Sequence, residues 1–189
     1  MKVEQYVMAY GVEHDRLRAI LPEGFSSLRP VLRFNAEIRD NKQAYLEFNT
    51  AACKDGKRGW VNIGLWDDIA FDRQEKRVIF KNDMLEISFA PVGIEGSCPA
   101  EKDNEGCFFL GNREEFKLAE IITSNKEFCD CKFKWLIDNG ACGESIGTSI
   151  PAYPEEVTNA YPKSEFTVEN AAVICCNQVL GSYVVKFER

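Results

Sequence analysis

The residues of this 189-residue chain best suited to chemistry are arginines and glutamates that recur at every second position. Arg33, Glu37 and Arg39 alternate with Leu32, Phe34, Ala36 and Ile38, and Glu47 stands between Tyr45 and Asn49 in a second alternating run. A guanidinium presents a planar fork of N–H donors that grips a carboxylate through two bonds, and a glutamate held out of water can take or give a proton. These residue types suit a small organic acid, with Arg33 or Arg39 as its clamp and Glu47 and Glu37 as acid/base groups.

Positioning them falls to three runs, residues 30–39, 44–53 and 60–66, which alternate with period two around Asp40-Asn41-Lys42 and Lys54-Asp55-Gly56-Lys57 and so predict an antiparallel meander. One parity is apolar: Leu32, Phe34, Ala36 and Ile38, then Leu46, Phe48 and Thr50, then Val61, Ile63 and Leu65. The other carries Arg33, Asn35, Glu37 and Arg39, then Tyr45, Glu47 and Asn49, then Trp60, Asn62, Gly64 and Trp66. Two readings of that second face stay open. Half-exposed antiparallel sheets are common, so it could be solvated. Two tryptophans and a tyrosine among the charges, with almost no lysine, fit a polar cavity whose aromatic walls hold a ligand against Arg33, Asn35, Arg39, Asn49 and Asn62. In a cavity, loss of Arg33 would leave a glutamate unpaired at a cost on the order of 3 kcal/mol.

Elsewhere, residues 3–10 read as a strand ended by Gly11, and residues 13–21 as a helix with Leu17, Ile20 and Leu21 on one face, stopped by Pro22 and Gly24. Residues 77–80 and 84–92 read as strands around Asn82-Asp83, and residues 107–110 as another. Asn112 with Glu115 makes a capping pair for a helix to about residue 123, its buried side formed by Leu118, Ala119, Ile121 and Ile122. A second helix is expected near 133–137, an irregular connection over 140–164, and closing strands over 167–176 and 182–187. The sum is one domain over residues 1–189, mainly β (α+β): an antiparallel β-barrel, closed or partly closed, with a few flanking helices.

Composition narrows the partners. At 45% hydrophobic and 12% aromatic the chain can bury a full core, and 23 basic against 30 acidic residues leave a net charge of −7 that repels nucleic acid and anionic membranes. The start of the chain shows no basic segment followed by an apolar stretch, and no run approaches the ~18 apolar residues of a membrane helix, so a cytoplasmic protein is expected. Its eight cysteines are read as reduced thiols. Cys129-Asp130-Cys131, with Cys142 and Cys98 or Cys107, offers soft ligands, but the Cys-x-Cys spacing does not match a zinc site. His14 is the only histidine, so a Ser-His-Asp hydrolase would have to be built around it alone. Residues 140–147 lack the Gly-Lys-Ser/Thr of a phosphate loop. No metal or cofactor follows from the pattern.

Residues 4–68 resemble the N-terminal part of the acetoacetate decarboxylase family: a strand ending in tyrosine, a D-x-L-x-x-x-x-P helix from Asp15, a P-x-x-R-F strand from Pro30, then Y-x-E at Tyr45 to Glu47. The resemblance implies a barrel-containing fold around a buried polar pocket, often in a higher oligomer, and a lysine that forms a Schiff base with a β-keto acid; that enzyme is itself a standard illustration of an amine activated by desolvation and a cationic neighbour. It maps Glu47 and Arg33 onto family positions. It departs elsewhere: Asn35 stands where a glutamate is implied, Val3 where an arginine is, and the chain has no Lys-Lys pair. The nearest echo of the lysine motif, residues 111–119, sets Lys117 on the second lysine and Phe116 on the nucleophile. Glu114, Glu115 and Glu120 lie close to Lys117 in sequence and favour its charged form, against imine chemistry. Three functions remain: a binding protein for a small carboxylate, a lyase acting on a keto acid, or an oligomeric module whose polar face meets a partner chain.

Overall fold

The computed structural model describes residues 1–97, 104–146 and 158–189. The chain opens with β1 (Lys2–Gly11), a short α1 (His14–Ile20) and the two-residue β2 (Ser26–Ser27). The expected meander follows as β3 (Val31–Arg39), β4 (Gln43–Lys54) and β5 (Lys57–Trp66). Its turns have the chemistry they need: Asp40 and Asn41 take positive φ between β3 and β4, and Asp55-Gly56 does so between β4 and β5, the two-residue hairpin turn that Asp-Gly favours. Then come β6 (Ala70–Gln74), β7 (Arg77–Lys81), β8 (Leu85–Gly96), β9 (Gly106–Phe109), β10 (Glu115–Leu118), β11 (Lys126–Trp135), β12 (Cys142–Ser145), α2 (Val168–Ala172) and β13 (Gln178–Glu188).

Among the described residues these strands form one sheet in the order β10-β9-β5-β4-β3-β1-β13-β11-β8-β7-β6, with β12 added on β11 and β2 on β4. The sheet curls both ways. On one face, Tyr6 of β1 packs on Phe80 and Phe89 of β7 and β8, and Phe34 of β3 lies 5.5 Å from Trp135 of β11, so the two halves of the sheet enclose the main hydrophobic core. On the other face, Arg189 at the end of β13 reaches both Glu37 of β3 and Glu120, two residues beyond β10. Six ladder steps separate β10 from β13, about 29 Å if flat, and two residues of chain add only ~7 Å, so the sheet must bend to bring them together. The shared strands are therefore covered on both sides, and β3 is buried at eight successive positions from Val31 to Ile38.

Several expectations change. The sheet does not close into an antiparallel barrel: the ordered path ends at β10 and β6, and the β5–β9 pair is parallel. Residues 115–118 are strand, not helix. Pairing with β9 turns Phe116 onto Phe108 and leaves Leu118 and Ile121, assigned above to a buried helix face, 83% and 89% exposed. Residues 133–135 belong to β11, because Phe133 and Trp135 alternate with Lys132 and Lys134 and only that pair enters the core. The run 167–176 starts with a helix, since the Thr167 hydroxyl accepts from the Asn170 backbone N–H at 3.2 Å and caps α2 against its β-rich composition. In the 140–164 connection β12 was unforeseen, and residues 147–157 lie outside the described residues. β6, with its charged sequence, was also unforeseen; it gains its place by pairing with β7.

No helix of the described residues is long and apolar enough to cross a membrane. The seven described cysteines are free, Cys98 lying outside, and no group of three or more His, Cys, Asp or Glu ligands converges among the described residues. Burial, with Glu127 and Asp130 nearby, pushes the Cys129 thiol up to about 12, and burial raises Cys131 further. Since the thiolate is the nucleophile, iodoacetamide at pH 8 is expected to modify exposed Cys142 and Cys175 in the native protein, and Cys129 and Cys131 only in denaturant. Peptide mapping after each treatment checks this; native labelling of Cys129 as fast as Cys142 would contradict it.

Candidate functional site

The register of the meander sets the polar side chains in facing rows. Arg33 lies opposite Asn49, Asn35 opposite Glu47, and Glu37 opposite Tyr45, while Asn62 of β5 pairs with Asn49 from the other side. Arg33, Asn35, Glu37, Glu47, Asn49, Trp60 and Asn62 are all buried, Glu37 and Glu47 at 5% exposure, so this is not a wet sheet face.

Two linked networks occupy it. In the first, Asn49 is the hub. Its Oδ1 accepts from Arg33 Nε at 3.0 Å, and its Nδ2 donates to Glu47 Oε2 and to Asn62 Oδ1, each at 3.2 Å. Asn62 in turn donates to the Phe108 carbonyl at 3.3 Å. Glu47 accepts also from Tyr45 Oη at 2.5 Å and from Asn35 Nδ2 at 3.4 Å. Burial and the adjoining Glu47 carboxylate hold the Tyr45 phenol protonated well above its ordinary range, which fixes it as the donor. The Arg33 guanidinium lies 3.7 Å from the centre of the Trp60 ring, and its two terminal nitrogens have no acceptor among the described residues.

The second network surrounds Glu37, which takes Arg39 Nε at 2.9 Å and a two-bond grip from Arg189 at 3.1 Å on each oxygen. Arg189 also binds Glu120, and the hydrogen bonds to Glu120 and Glu37 raise its pKa further, so it stays charged. Arg39 stacks over Tyr45 at 4.7 Å and joins the two networks. The ion pairs differ from the sequence expectation: Glu37 takes Arg39 and Arg189, whereas Arg33 is anchored by neutral Asn49 and Glu47 by neutral donors.

Thus Arg33, Asn35, Glu37, Arg39, Tyr45, Glu47, Asn49, Trp60 and Asn62 come together. Trp66 does not. A bulge at Ile63 shifts the register, so that Phe48 faces Gly64 and Asn49 faces Asn62, and beyond it Trp66 turns to Leu46 and the hydrophobic core while Leu65 takes the polar side. Gly64 moves with it, and a Cβ there would lie 2.7 Å from Val168 and 2.8 Å from the Trp66 ring. Lys117 sits on β10 opposite Cys107, which faces Trp60, so it belongs to the rim of this face. Its side chain is 58% exposed, with Glu115 at 3.7 Å and the Phe109 ring at 4.7 Å. Phe116, in the nucleophile position of the motif echo, points to the opposite side against Phe108. The sequence reading missed Arg189 and Glu120, which lie far along the chain from the meander and carry no periodic signal. His14 Nε2 lies 2.7 Å from Ser27 Oγ, but Ser27 donates to the Arg29 carbonyl and Asp15 is taken by Arg18 and the Asn159 backbone, so these three residues do not form a triad.

No family model matches the chain, and no curated protein matches it. Solved structures do. An acetoacetate decarboxylase from Legionella pneumophila subsp. pneumophila str. Philadelphia 1 superposes with a TM-score of 0.54 at 13% identity, covering 98% of this chain and 81% of that one. An acetoacetate decarboxylase-like enzyme from Sphingomonas wittichii RW1 gives 0.52 at 8% identity over 98% and 87% of the two chains. The enduracididine biosynthesis enzyme MppR complexed with pyruvate gives 0.55 at 11% identity over 98% and 84%. The chain has the fold of acetoacetate decarboxylase and acetoacetate decarboxylase-like enzymes.

Proposed function

We propose that the polar face binds a small carboxylate and that the chain does not decarboxylate acetoacetate through an imine. One observation carries the reading: Arg33 is buried, held by Asn49 and Trp60, and keeps two terminal nitrogens without an acceptor among the described residues. A guanidinium already oriented by its Nε and by stacking loses little freedom when a carboxylate takes its Nη pair, which is where affinity is gained. Arg39 and Arg189 are already committed to Glu37, so the clamp falls to Arg33. The pyruvate bound to MppR, a protein of the same fold, suggests an acid of that size.

The absent imine follows from the lysine's surroundings. A Schiff base needs a neutral amine held out of water, and Lys117 lies largely in solvent with Glu115 beside it. Any turnover would then fall to Glu47 and Tyr45 as proton carriers, in a lyase acting on a keto acid.

The test is a titration with pyruvate and with acetoacetate, following tryptophan fluorescence, and a parallel incubation of each acid with borohydride. Saturable quenching without a covalent adduct is expected. A reduced adduct on Lys117, lost with Lys117→Ala together with carbon dioxide release, would restore the decarboxylase. Failure of both acids, and of their alcohol counterparts lactate and 3-hydroxybutyrate, to bind would remove the carboxylate site.

A further inference from the structure

Asn35 stands two residues along β3 from Arg33, on the same face, and is 8% exposed. Its amide nitrogen donates to Glu47 Oε2 at 3.4 Å, while its carbonyl oxygen Oδ1 is out of solvent contact and has no hydrogen-bond partner. The orientation of the amide is not arbitrary. Turning it over would set Oδ1 against the Glu47 carboxylate and remove one of the donors that carboxylate holds. Asn35 therefore keeps a buried acceptor with nothing to accept from, beside an arginine whose two terminal nitrogens have no acceptor among the described residues. Buried polar atoms are nearly always satisfied, and the exceptions call for an explanation at the site where they stand.

Arg33 and Asn35 ask for opposite things: the guanidinium needs an anion, and Oδ1 needs a donor. The Cα atoms of same-face neighbours on a strand lie about 6.8 Å apart, and both side chains turn toward β4, Arg33 to Asn49 and Asn35 to Glu47. An acid whose hydroxyl sits on the second or third carbon can span them, with its carboxylate on the Arg33 Nη atoms and its O–H on Asn35 Oδ1. A keto acid of the same skeleton would bring a second acceptor to Oδ1, lone pair against lone pair, and leave the orphan unsatisfied. Resting on the carboxylate reading above, we propose that the preferred ligand is a hydroxy acid and that Asn35 Oδ1 is the group selecting it.

Isothermal titration with pairs differing only in that group decides the matter: pyruvate against each enantiomer of lactate, and acetoacetate against each enantiomer of 3-hydroxybutyrate, with wild type and Asn35→Ala. One hydroxy acid is expected to bind about tenfold more tightly than its keto partner, the worth of one satisfied buried hydrogen bond. In Asn35→Ala that ratio is expected to collapse to about one. A merely structural role for Asn35 would weaken both members of a pair together and leave their ratio standing. Keto acids bound as well as or better than the hydroxy acids in both pairs, or a preference that survives Asn35→Ala, would overturn the selectivity while leaving the carboxylate site in place. If the variant does not fold, the wild-type ratios decide alone. No binding by any of the acids would overturn the carboxylate site itself.

Discussion

Arg33→Ala is expected to weaken carboxylate binding, raising the dissociation constant for pyruvate or lactate by on the order of a hundredfold, and to lower stability by about 2 kcal/mol. The binding loss follows from the two charge-assisted bonds that the free Nη pair would make from a side chain that is itself largely buried. The stability loss has a different origin from that of a broken ion pair, because Arg33 makes no ion pair among the described residues. Its removal strips Asn49 Oδ1 of its donor in a fully buried position and uncovers one face of Trp60. Arg33→Lys separates the two effects: a lysine keeps the charge over the indole but has no planar fork, so stability is expected to recover in part and binding to stay at least about tenfold weaker. Urea midpoints and titration calorimetry read the two quantities. Unchanged affinity in Arg33→Ala would mean that the clamp lies elsewhere, and a stability change of a few tenths would mean that Asn49 does not depend on it.

How far this site could be read from the chain depends on what fixes each side chain. The rows on β3 and β4 were legible because a hydrophobic core on one face forces strict alternation: Phe34 and Phe48 stack at 4.9 Å there, and Arg33, Asn35, Glu37, Tyr45, Glu47 and Asn49 must point the other way. The reading failed at Trp66 because one extra residue, Ile63, reverses the parity, and a bulge leaves no trace in a pattern of apolar and polar letters. It failed at residues 115–123 for another reason. Leu118, Ala119, Ile121 and Ile122 have helical spacing, yet the free edge of β9 offers backbone partners, and the Phe116–Phe108 contact at 4.6 Å holds the strand. Local spacing lost to a tertiary pairing. Arg189 and Glu120 were beyond reach, since β13 joins β3 only through β1, and a curl of the sheet then brings the chain beyond β10 to Arg189.

That curl also accounts for the mixed character of the central strands. A strand buried on both faces usually reads as a continuous apolar run. Here β3 is buried on both faces and only half apolar, so its polar half must be satisfied from within. Asn49, Asn62, Tyr45 and Arg39 do this for one another and for the two glutamates, and the atoms left over are the Arg33 Nη pair and Asn35 Oδ1. These few unmet atoms, on a face that otherwise meets its own needs, are what the proposed carboxylate site rests on.

Glu47→Leu carries the other large expected effect, about 3 kcal/mol of lost stability, because three donors converge on that carboxylate. Asn49 keeps Asn62 as a partner for its amide, so Tyr45 and Asn35 bear most of the loss. The 2.5 Å bond from Tyr45 is charge-assisted and predicts how that loss divides. Tyr45→Phe alone is expected to cost about 1.5 kcal/mol, since it removes a donor from a buried carboxylate. In a Glu47→Leu background the same change should cost close to nothing, because the phenol has already lost its acceptor. The two single losses should therefore exceed the double loss by about 1.5 kcal/mol, measured from urea midpoints of the four proteins. Additive losses would place Tyr45 and Glu47 in separate environments and dissolve the network on which the site depends.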